Sequence, residues 1–531
     1  MNSRHLGLLI FLCSWTCFGA IELIKQSPRE LVIKLSTDSP KLSDVEIQGI
    51  RYSKINSEDL QNEQPPGYPE IPTHSDLIWV PKNTRPVLTI TSLSSQKVLL
   101  NKELSYLETI PNHCDSSAPS HKKNLSAYQV DYGTKLVEIT EVGYGASDKF
   151  ARLKFWPFQY RPTKQQVIWS PEIIVTLTFE NEPVKDIPAI RNPEHSLAAY
   201  LALNPPKVER FKNNASVDLV ISTSSYQSSL SRFFDFKKLS GRAVRAYFVD
   251  KKTNQEIKAI IQKEYSEPIP PSSVLLVGNI DQIPSWKGSG DNRWTDFNYT
   301  TLDTDSIPDI SLGRLPTHTN EELNHFIDKA ISREKDPRKI EEFLLTAGKD
   351  ESLGCPENVT KVGKKITQGA PSINLTKKYR TEVGTEEVIA AYNSNPNIIV
   401  YDGHGNSSGM TEIPLLISSL NNLSNTTYPI ILDIACLNAH WNKSASPRNF
   451  AESILLSPLR GAAGIMASGG SGYGHDFFQT IGEIIGKAHQ RQTVDPKMNE
   501  IGQVILAAKI KHGTQDRTYW NYYGDPSSSV F

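Results

Sequence analysis

The sequence predicts an α/β protein, with a parallel-sheet half made of two α/β subdomains preceded by a β-rich half. Three observations predict it. After residue 213, short apolar runs alternate with helical stretches, the pattern of parallel α/β layers with helices on both faces. Before residue 213, runs rich in β-branched residues are separated by prolines and polar turns. Two of the later apolar runs end on residues able to do covalent chemistry, a histidine and a cysteine.

Residues 1–20 read as an export signal: Arg4 and His5 precede an apolar core at 6–12, and the small Gly19 and Ala20 follow. That core is too short to span a bilayer, and no later stretch is long and apolar enough. From 21 to 213 strands are expected at 31–35, 87–90, 135–139 and 173–179, as a β-sandwich or β-rich prodomain. The stretch 191–214, with Pro193, Pro205, Pro206, Lys207, Arg210 and Lys212, reads as a linker open to proteolytic nicking. The remaining domain, 214–531, divides into subdomains at about 214–336 and 337–531. Strands are expected at 217–221, 244–249, 273–278, 343–347, 397–402, 429–435 and 464–468, and helices at 230–239, 254–264, 320–333, 359–367 and 477–489.

Composition narrows the function. In 531 residues, 57 Lys and Arg face 58 Asp and Glu, a net charge of -1, which argues against nucleic acid or an anionic membrane as partner. Of five cysteines, Cys13 and Cys17 leave with the signal. Cys114, Cys355 and Cys436 remain, an odd number that leaves at least one thiol unpaired; a Cys114–Cys355 bridge is allowed but not demanded. Neither C-x-x-C nor H-E-x-x-H occurs, so no metal site is expected.

The run at 397–402 enters Gly403-His404-Gly405, and the run at 429–435 enters Cys436-Leu437-Asn438. Ligands of open parallel sheets bind beyond the carboxyl ends of strands. Successive strands joined by a crossover are usually neighbours about 4.8 Å apart. His404 and Cys436 should therefore flank one cleft, with a short crossover helix at 415–423 between them. A thiol at a strand-to-helix turn would gain thiolate character from the helix N-terminus. Glycines beside His404 let backbone approach a substrate, and the N–H groups of Gly405 and Cys436 are candidate oxyanion donors. His440, expected on the helix after Cys436, and His475, in a glycine-rich loop, are competing bases of lower rank.

Here the match to a family becomes specific. Asp402-Gly403-His404-Gly405-Asn406-Ser407 and Asp433-Ile434-Ala435-Cys436-Leu437-Asn438 resemble the His and Cys motifs of the gingipain family of cysteine peptidases, of the caspase-like clan. Leu275-Leu276-Val277-Gly278-Asn279, the pair of segments around Asp296 and Gly313-Arg314, and Tyr523-Gly524-Asp525-Pro526-Ser527 resemble three further family segments in the same order. The resemblance covers 217 to the C-terminus, and more weakly the β-rich half, which is similar to the family's inhibitory propeptide. It implies a secreted cysteine endopeptidase acting on protein or peptide substrates, made as a zymogen and inhibited by its own prodomain. Cys436 is implied as nucleophile, His404 as general acid/base, and Gly405 with Cys436 as oxyanion hole. Asp350 is implied as the acid that orients His404. Glu357 and an aromatic wall at Tyr473 fall where arginine-directed members read a basic P1 side chain. Calcium is a structural ion in the family. Asp291, Asp296, Asp303, Asp305 and Asp309 form no recognisable calcium loop, however, and read as a solvated acidic loop.

Three other readings use the same residues. A transpeptidase would employ the same Cys and His with an amine acceptor. A non-catalytic caspase-like binding protein would not need both side chains. A serine hydrolase built on Gly405-Asn406-Ser407-Ser408-Gly409 would require its Ser at the strand end, whereas Ser407 lies five positions beyond Asp402.

Overall fold

The computed structural model describes residues 21–57, 60–107, 122–145, 148–182, 197–206, 216–288, 294–336, 342–349, 354–413, 415–441, 448–470, 474–491, 496–513 and 515–531. The export signal, Cys114, Arg210, Asp291, Asp350 and Tyr473 lie outside these residues.

Ten strands of the C-terminal part form one sheet: β1 (Val217–Ser222), β2 (Ala243–Phe248), β3 (Ser273–Val277), β4 (Ser311–Leu315), β5 (Glu342–Ala347), β6 (Asn374–Tyr379), β7 (Ile398–Asp402), β8 (Ile430–Ile434), β9 (Gly464–Ser468) and β10 (Trp520–Gly524). Their order is β2-β1-β3-β4-β10-β9-β8-β7-β5-β6. Pairing is parallel within β1–β4 and within β5–β9, and β10 runs antiparallel to β9. The last strand to be made thus closes the gap between two parallel blocks, meeting β4 at Arg314 and Tyr523.

Strands β7, β8 and β9 are buried at every position, as expected of sheet strands covered on both faces. One face packs against α4 (Cys355–Gly369), α7 (His475–Arg491) and α8 (Ile501–His512). The other packs against α1 (Gln227–Leu239), α3 (Asn320–Lys335), α5 (Thr385–Asn393) and α6 (Phe450–Leu456). Helix α2 (Asn254–Tyr265) covers β1 and β3 on the first side. Helices α4 and α7 approach unusually closely. A Cβ at Gly482 would lie 2.8 Å from the Val362 carbonyl oxygen, and one at Gly486 2.8 Å from that of Ile366. Only glycine allows this spacing, and it brings the first turns of the two helices together at the rim of the sheet.

Among the described residues, the N-terminal part is β apart from short 3₁₀ turns and one short helix. The strands Ile21–Ser27, Glu30–Ser36, Glu172–Asn181 and Thr84–Leu93 form one sheet, and His74–Trp79, Asp148–Phe155 and Val137–Gly145 another. Alternation along Glu30–Ser36 turns Leu31, Ile33 and Leu35 inward to meet Ile78, Leu153 and Phe155 of the second sheet, which makes a sandwich. The expected linker is not uniformly exposed. Its helix Ala198–Leu201 is anchored by Leu197, Tyr200 and Leu201, buried in the same core as α7 and α8, together with Leu77 and Phe150. Apolar spacing inside a proline-rich stretch had concealed this anchor.

The acidic stretch is not solvated either. Asp296 is 2 % exposed and ion-paired with fully buried Arg314 at 2.6 Å, and Asp309 is 2 % exposed. Cys355 is a buried thiol in the core under α4. Among the described residues no group of three or more His, Cys, Asp or Glu could hold a metal, and no helix is long and apolar enough to cross a membrane.

Candidate active site

Strands β7 and β8 are parallel neighbours with Asp402 opposite Ile434. His404 and Cys436 therefore stand at equal heights, each two residues past the paired ends. The two turns also touch. A Cβ at Gly405 would meet the Ala435 Cβ at 2.8 Å, Asn438 Oδ1 at 2.8 Å and the Cys436 carbonyl oxygen at 3.0 Å. A side chain at Gly405 would force the imidazole-bearing turn off the thiol-bearing one.

The His404 turn is held from below. Its backbone N–H donates to Glu412 Oε2 at 2.8 Å, and the second oxygen of that carboxylate accepts from the N–H of Lys349 at 2.9 Å. A Cβ at Gly348 would overlap the Glu412 carboxylate, so two glycine-containing turns close over one acid. The Tyr401 hydroxyl donates to the His404 carbonyl oxygen at 2.9 Å, and Thr411 N–H donates to it at 3.1 Å. Glu412 thereby ties the His404 turn to the loop that leads into Asp350. No periodicity marks Glu412, and sequence reasoning missed it.

The Cys436 turn differs from expectation. No helix begins there: residues 437–441 form turns, and α6 begins at Phe450. Leu437 adopts a left-handed conformation with φ +61°, a costly backbone state for a branched residue. Asn438 donates from Nδ2 to Asp433 Oδ2 at 2.7 Å, and its carbonyl oxygen accepts from Ala451 N–H at 2.9 Å. The N-terminus of α6 is capped by Asn449, whose side chain accepts from Glu452 N–H at 3.0 Å, and it lies well along the chain from the thiol. Burial pushes the Asp433 carboxyl well above the ordinary carboxylate range, against the opposing hydrogen bond from Asn438.

Cys436 itself is fully buried, where the sequence reading expected an open thiol. The segment 468–470 after β9 is laced across its turn. Leu437 N–H donates to the Gly470 carbonyl at 3.2 Å, Ala439 N–H to that of Ser468 at 3.1 Å, and His440 Nδ1 lies 2.9 Å from that of Gly469. His440 is thus occupied with backbone, in a turn and not on a helix. His404 remains partly exposed.

His475 is the first residue of α7, not a loop residue. Its Nε2 lies 3.1 Å from Asp402 Oδ2, and its Nδ1 lies 3.0 Å from the Asn358 side-chain amide. Asp402 is fully buried. Burial alone would depress the His475 pKa, yet the neighbouring Asp402 carboxylate holds it above the usual histidine value. Glu357 faces solvent in the first turn of α4 and pairs with Lys361 at 2.8 Å. Asp350 and Tyr473 fall outside the described residues. One signal for Asp402 and Asp433 was present in the sequence: an acid inside an otherwise apolar, fully buried strand must have a partner or a function.

A thiol and an imidazole at the carboxyl ends of adjacent parallel strands, with glycine between the two turns, define the arrangement of a cysteine-dependent acyl-transfer site on an α/β sheet. The profile of Peptidase family C25 matches residues 212–531, and the chain belongs to that family. It is 24 % identical over 490 residues to Lys-gingipain W83 of Porphyromonas gingivalis, covering 84 % of this chain and 27 % of that protein. It is 23 % identical over 418 residues to Gingipain R2 of the same species, covering 71 % of this chain and 55 % of that one. The chain therefore spans a quarter to about half the length of these relatives. The crystal structure of the Arg-specific cysteine proteinase gingipain R superposes with a TM-score of 0.53 at 21 % identity, over 61 % of this chain and 80 % of that one, and so shares its fold.

Proposed function

We propose that the chain is a secreted cysteine endopeptidase made in a latent form. The observation that supports this reading is the register of β7 and β8, whose paired ends Asp402 and Ile434 each lie two residues before His404 and Cys436. Cys436 Sγ attacks the scissile carbonyl carbon as its proton passes to His404, and the oxyanion is held by the N–H groups of Gly405 and Cys436. His404 then returns the proton to the leaving amine. A water molecule, deprotonated by His404, hydrolyses the thioester and restores the thiol. Asp350 orients the imidazole, and Glu412 holds the backbone of the same turn. By the family resemblance, Glu357 and Tyr473 are the candidate residues for reading a basic P1 side chain.

Latency is supported by the docking of the β-sandwich on the outer face of α7 and α8. Arg152 donates to the carbonyl oxygens of Ile510 and Lys511 at 2.6 Å each, Arg517 pairs with Glu141 at 3.2 Å, and Lys487 donates to the Tyr200 carbonyl at 3.2 Å. The prodomain acts as the chain's own inhibitor, released by cleavage in the 191–212 segment, with Arg210 as the autocatalytic site. N-terminal sequencing of wild type and Cys436→Ala tests this: identical processing in both excludes self-cleavage. Peptide hydrolysis by wild type and Cys436→Ala, with mapping of the iodoacetamide-modified thiol, tests the activity. An amine acceptor appearing in the products would assign transpeptidation instead.

A further inference from the structure

Two oxygen atoms behind the thiol turn have no hydrogen-bond partner among the described residues, and they belong to side chains already bonded to each other. Asp433 in β8 and Asn438, two residues past Cys436, are both fully buried. Asn438 Nδ2 donates to Asp433 Oδ2 at 2.7 Å. The other oxygen of each side chain, Asp433 Oδ1 and Asn438 Oδ1, is the one left over. Buried polar atoms are almost always bonded, because the hydration they lose must be replaced. A carboxylate has no proton to give, so an ionised Asp433 would leave both oxygens bare. It would also be a buried charge without a counter-ion. The groups acting on it are the Cys436 thiol and the Asp402 carboxylate, which oppose further negative charge, and among the described residues no cation relieves them. Its register partner on β7 is Tyr401, whose hydroxyl is committed to the His404 carbonyl. On the other side β9 carries no charged residue. The acid buried in α6 on this face, Glu452, is bonded to Trp441 and Asn449. A single proton resolves the mismatch. Placed on Asp433 Oδ1, it makes that atom a donor to Asn438 Oδ1, and acid and amide close a ring of two hydrogen bonds.

We propose that Asp433 is a positioning residue of the thiol site: held as a neutral acid, it forms with Asn438 a cyclic clasp that fixes the Cys436 turn and the Gly405 turn as one unit. The effect on turnover rests on the endopeptidase reading; the held proton does not. The clasp joins residues five apart in the chain, so it closes the loop that carries Cys436. Inside that loop Leu437 is kept at φ +61°, a state that persists only where its surroundings enforce it. The clasp also reaches sideways, since Asn438 Oδ1 lies 2.8 Å from where a Gly405 Cβ would stand. The Asn438 backbone carbonyl takes the Ala451 N–H, which ties the same turn to α6. Loss of the proton sets two acceptor oxygens face to face and releases the amide. The clasp is therefore closed on the acid side of the Asp433 ionisation and opens beyond it.

Infrared spectra of the full chain and its Asp433→Asn variant at neutral pH test the proton directly. The difference spectrum is expected to show the carbonyl band of a protonated carboxylic acid in the wild type only. A carboxylate band lost in its place overturns the proposal, whether or not any peptide is hydrolysed. Peptide hydrolysis tests the positioning, on the full chain after limited proteolysis of the 191–212 segment, with rates normalised to titrated Cys436. Asp433→Leu is expected to lower kcat about 100-fold with KM little changed, the scale of a displacement near 1 Å. The amide introduced by Asp433→Asn can accept from Asn438 Nδ2 and donate to Asn438 Oδ1, so this variant is expected about tenfold above Asp433→Leu in kcat. A position that served only apolar packing would favour leucine. Equal kcat in the two variants overturns the positioning role even where the acid band is present. If Asp433→Leu does not fold, Asn438→Ala is measured in its place, and a kcat within about twofold of wild type overturns the role. Absence of Cys436-dependent hydrolysis of every peptide overturns the endopeptidase reading and the positioning with it, and the infrared band still decides the proton.

Discussion

Replacing Glu412 by alanine removes a carboxylate that joins the backbone of the His404 turn to the loop after β5. Two backbone N–H groups, those of His404 and Lys349, lose charge-assisted bonds of 2.8 and 2.9 Å. Such bonds are worth about 1.5–3 kcal/mol each when buried. Glu412 is only half-buried, so water replaces part of the loss, and the total is expected at roughly 2–3 kcal/mol at the low end of that range. Half of it felt as misplacement of the imidazole corresponds to about a tenfold lower kcat/KM, since about 1.4 kcal/mol is a decade in rate. The melting temperature should fall by about 2–4 °C per kcal/mol for a domain of this size class. Glu412→Gln, able to accept through one oxygen only, should fall between. The assay is peptide hydrolysis beside a thermal melt of the same samples. A Glu412→Ala protein with kcat/KM within about twofold of wild type but a lowered melting temperature would refute the positioning role and leave only a structural tie.

Three further outcomes are expected. Gly405→Ala should cost about 100-fold in kcat/KM, since its Cβ would press on the Cys436 turn and a displacement near 1 Å is that expensive; steady-state kinetics on the folded variant checks it. Iodoacetamide should label Cys436 slowly in the folded chain, because the thiol is buried and segment 468–470 is laced across its turn; labelling as fast as in the urea-unfolded chain, read by mass spectrometry, would contradict a covered thiol. Burial pushes the Asp309 carboxyl up to about 8, with Asp303 and Asp305 adding like charge. The folded state then holds a proton that the unfolded chain has lost, so this group's stabilisation is full below about pH 4 and fades as pH rises toward 8. Asp309→Asn should flatten that slope in urea melts and raise stability at pH 8 by on the order of a few kcal/mol.

Much of this protein was legible along the chain. Local periodicity and turn chemistry placed the strands on either side of His404 and Cys436, because a strand buried on both faces must be apolar throughout and its end must be marked by small or polar residues. The acids at Asp402 and Asp433 could be seen as anomalies in those strands, though not assigned. What the chain could not reveal was which distant segments would meet. Asp402 and His475 are 73 positions apart, joined because glycines let α4 and α7 close up. Glu412 reaches back 63 positions to Lys349, and the strap at 468–470 crosses a turn more than 25 residues earlier. The helix expected directly after Cys436 is not there: the chain turns at 437–439, and α6 starts only at Phe450, where Asn449 and Glu452 close a capping box. Hydrophobic pattern is a local property and determines which residues lie inside. Whether a buried thiol is open or covered, and which cation faces a buried acid, depends on contacts between loops that share no pattern, and those only the tertiary structure decided.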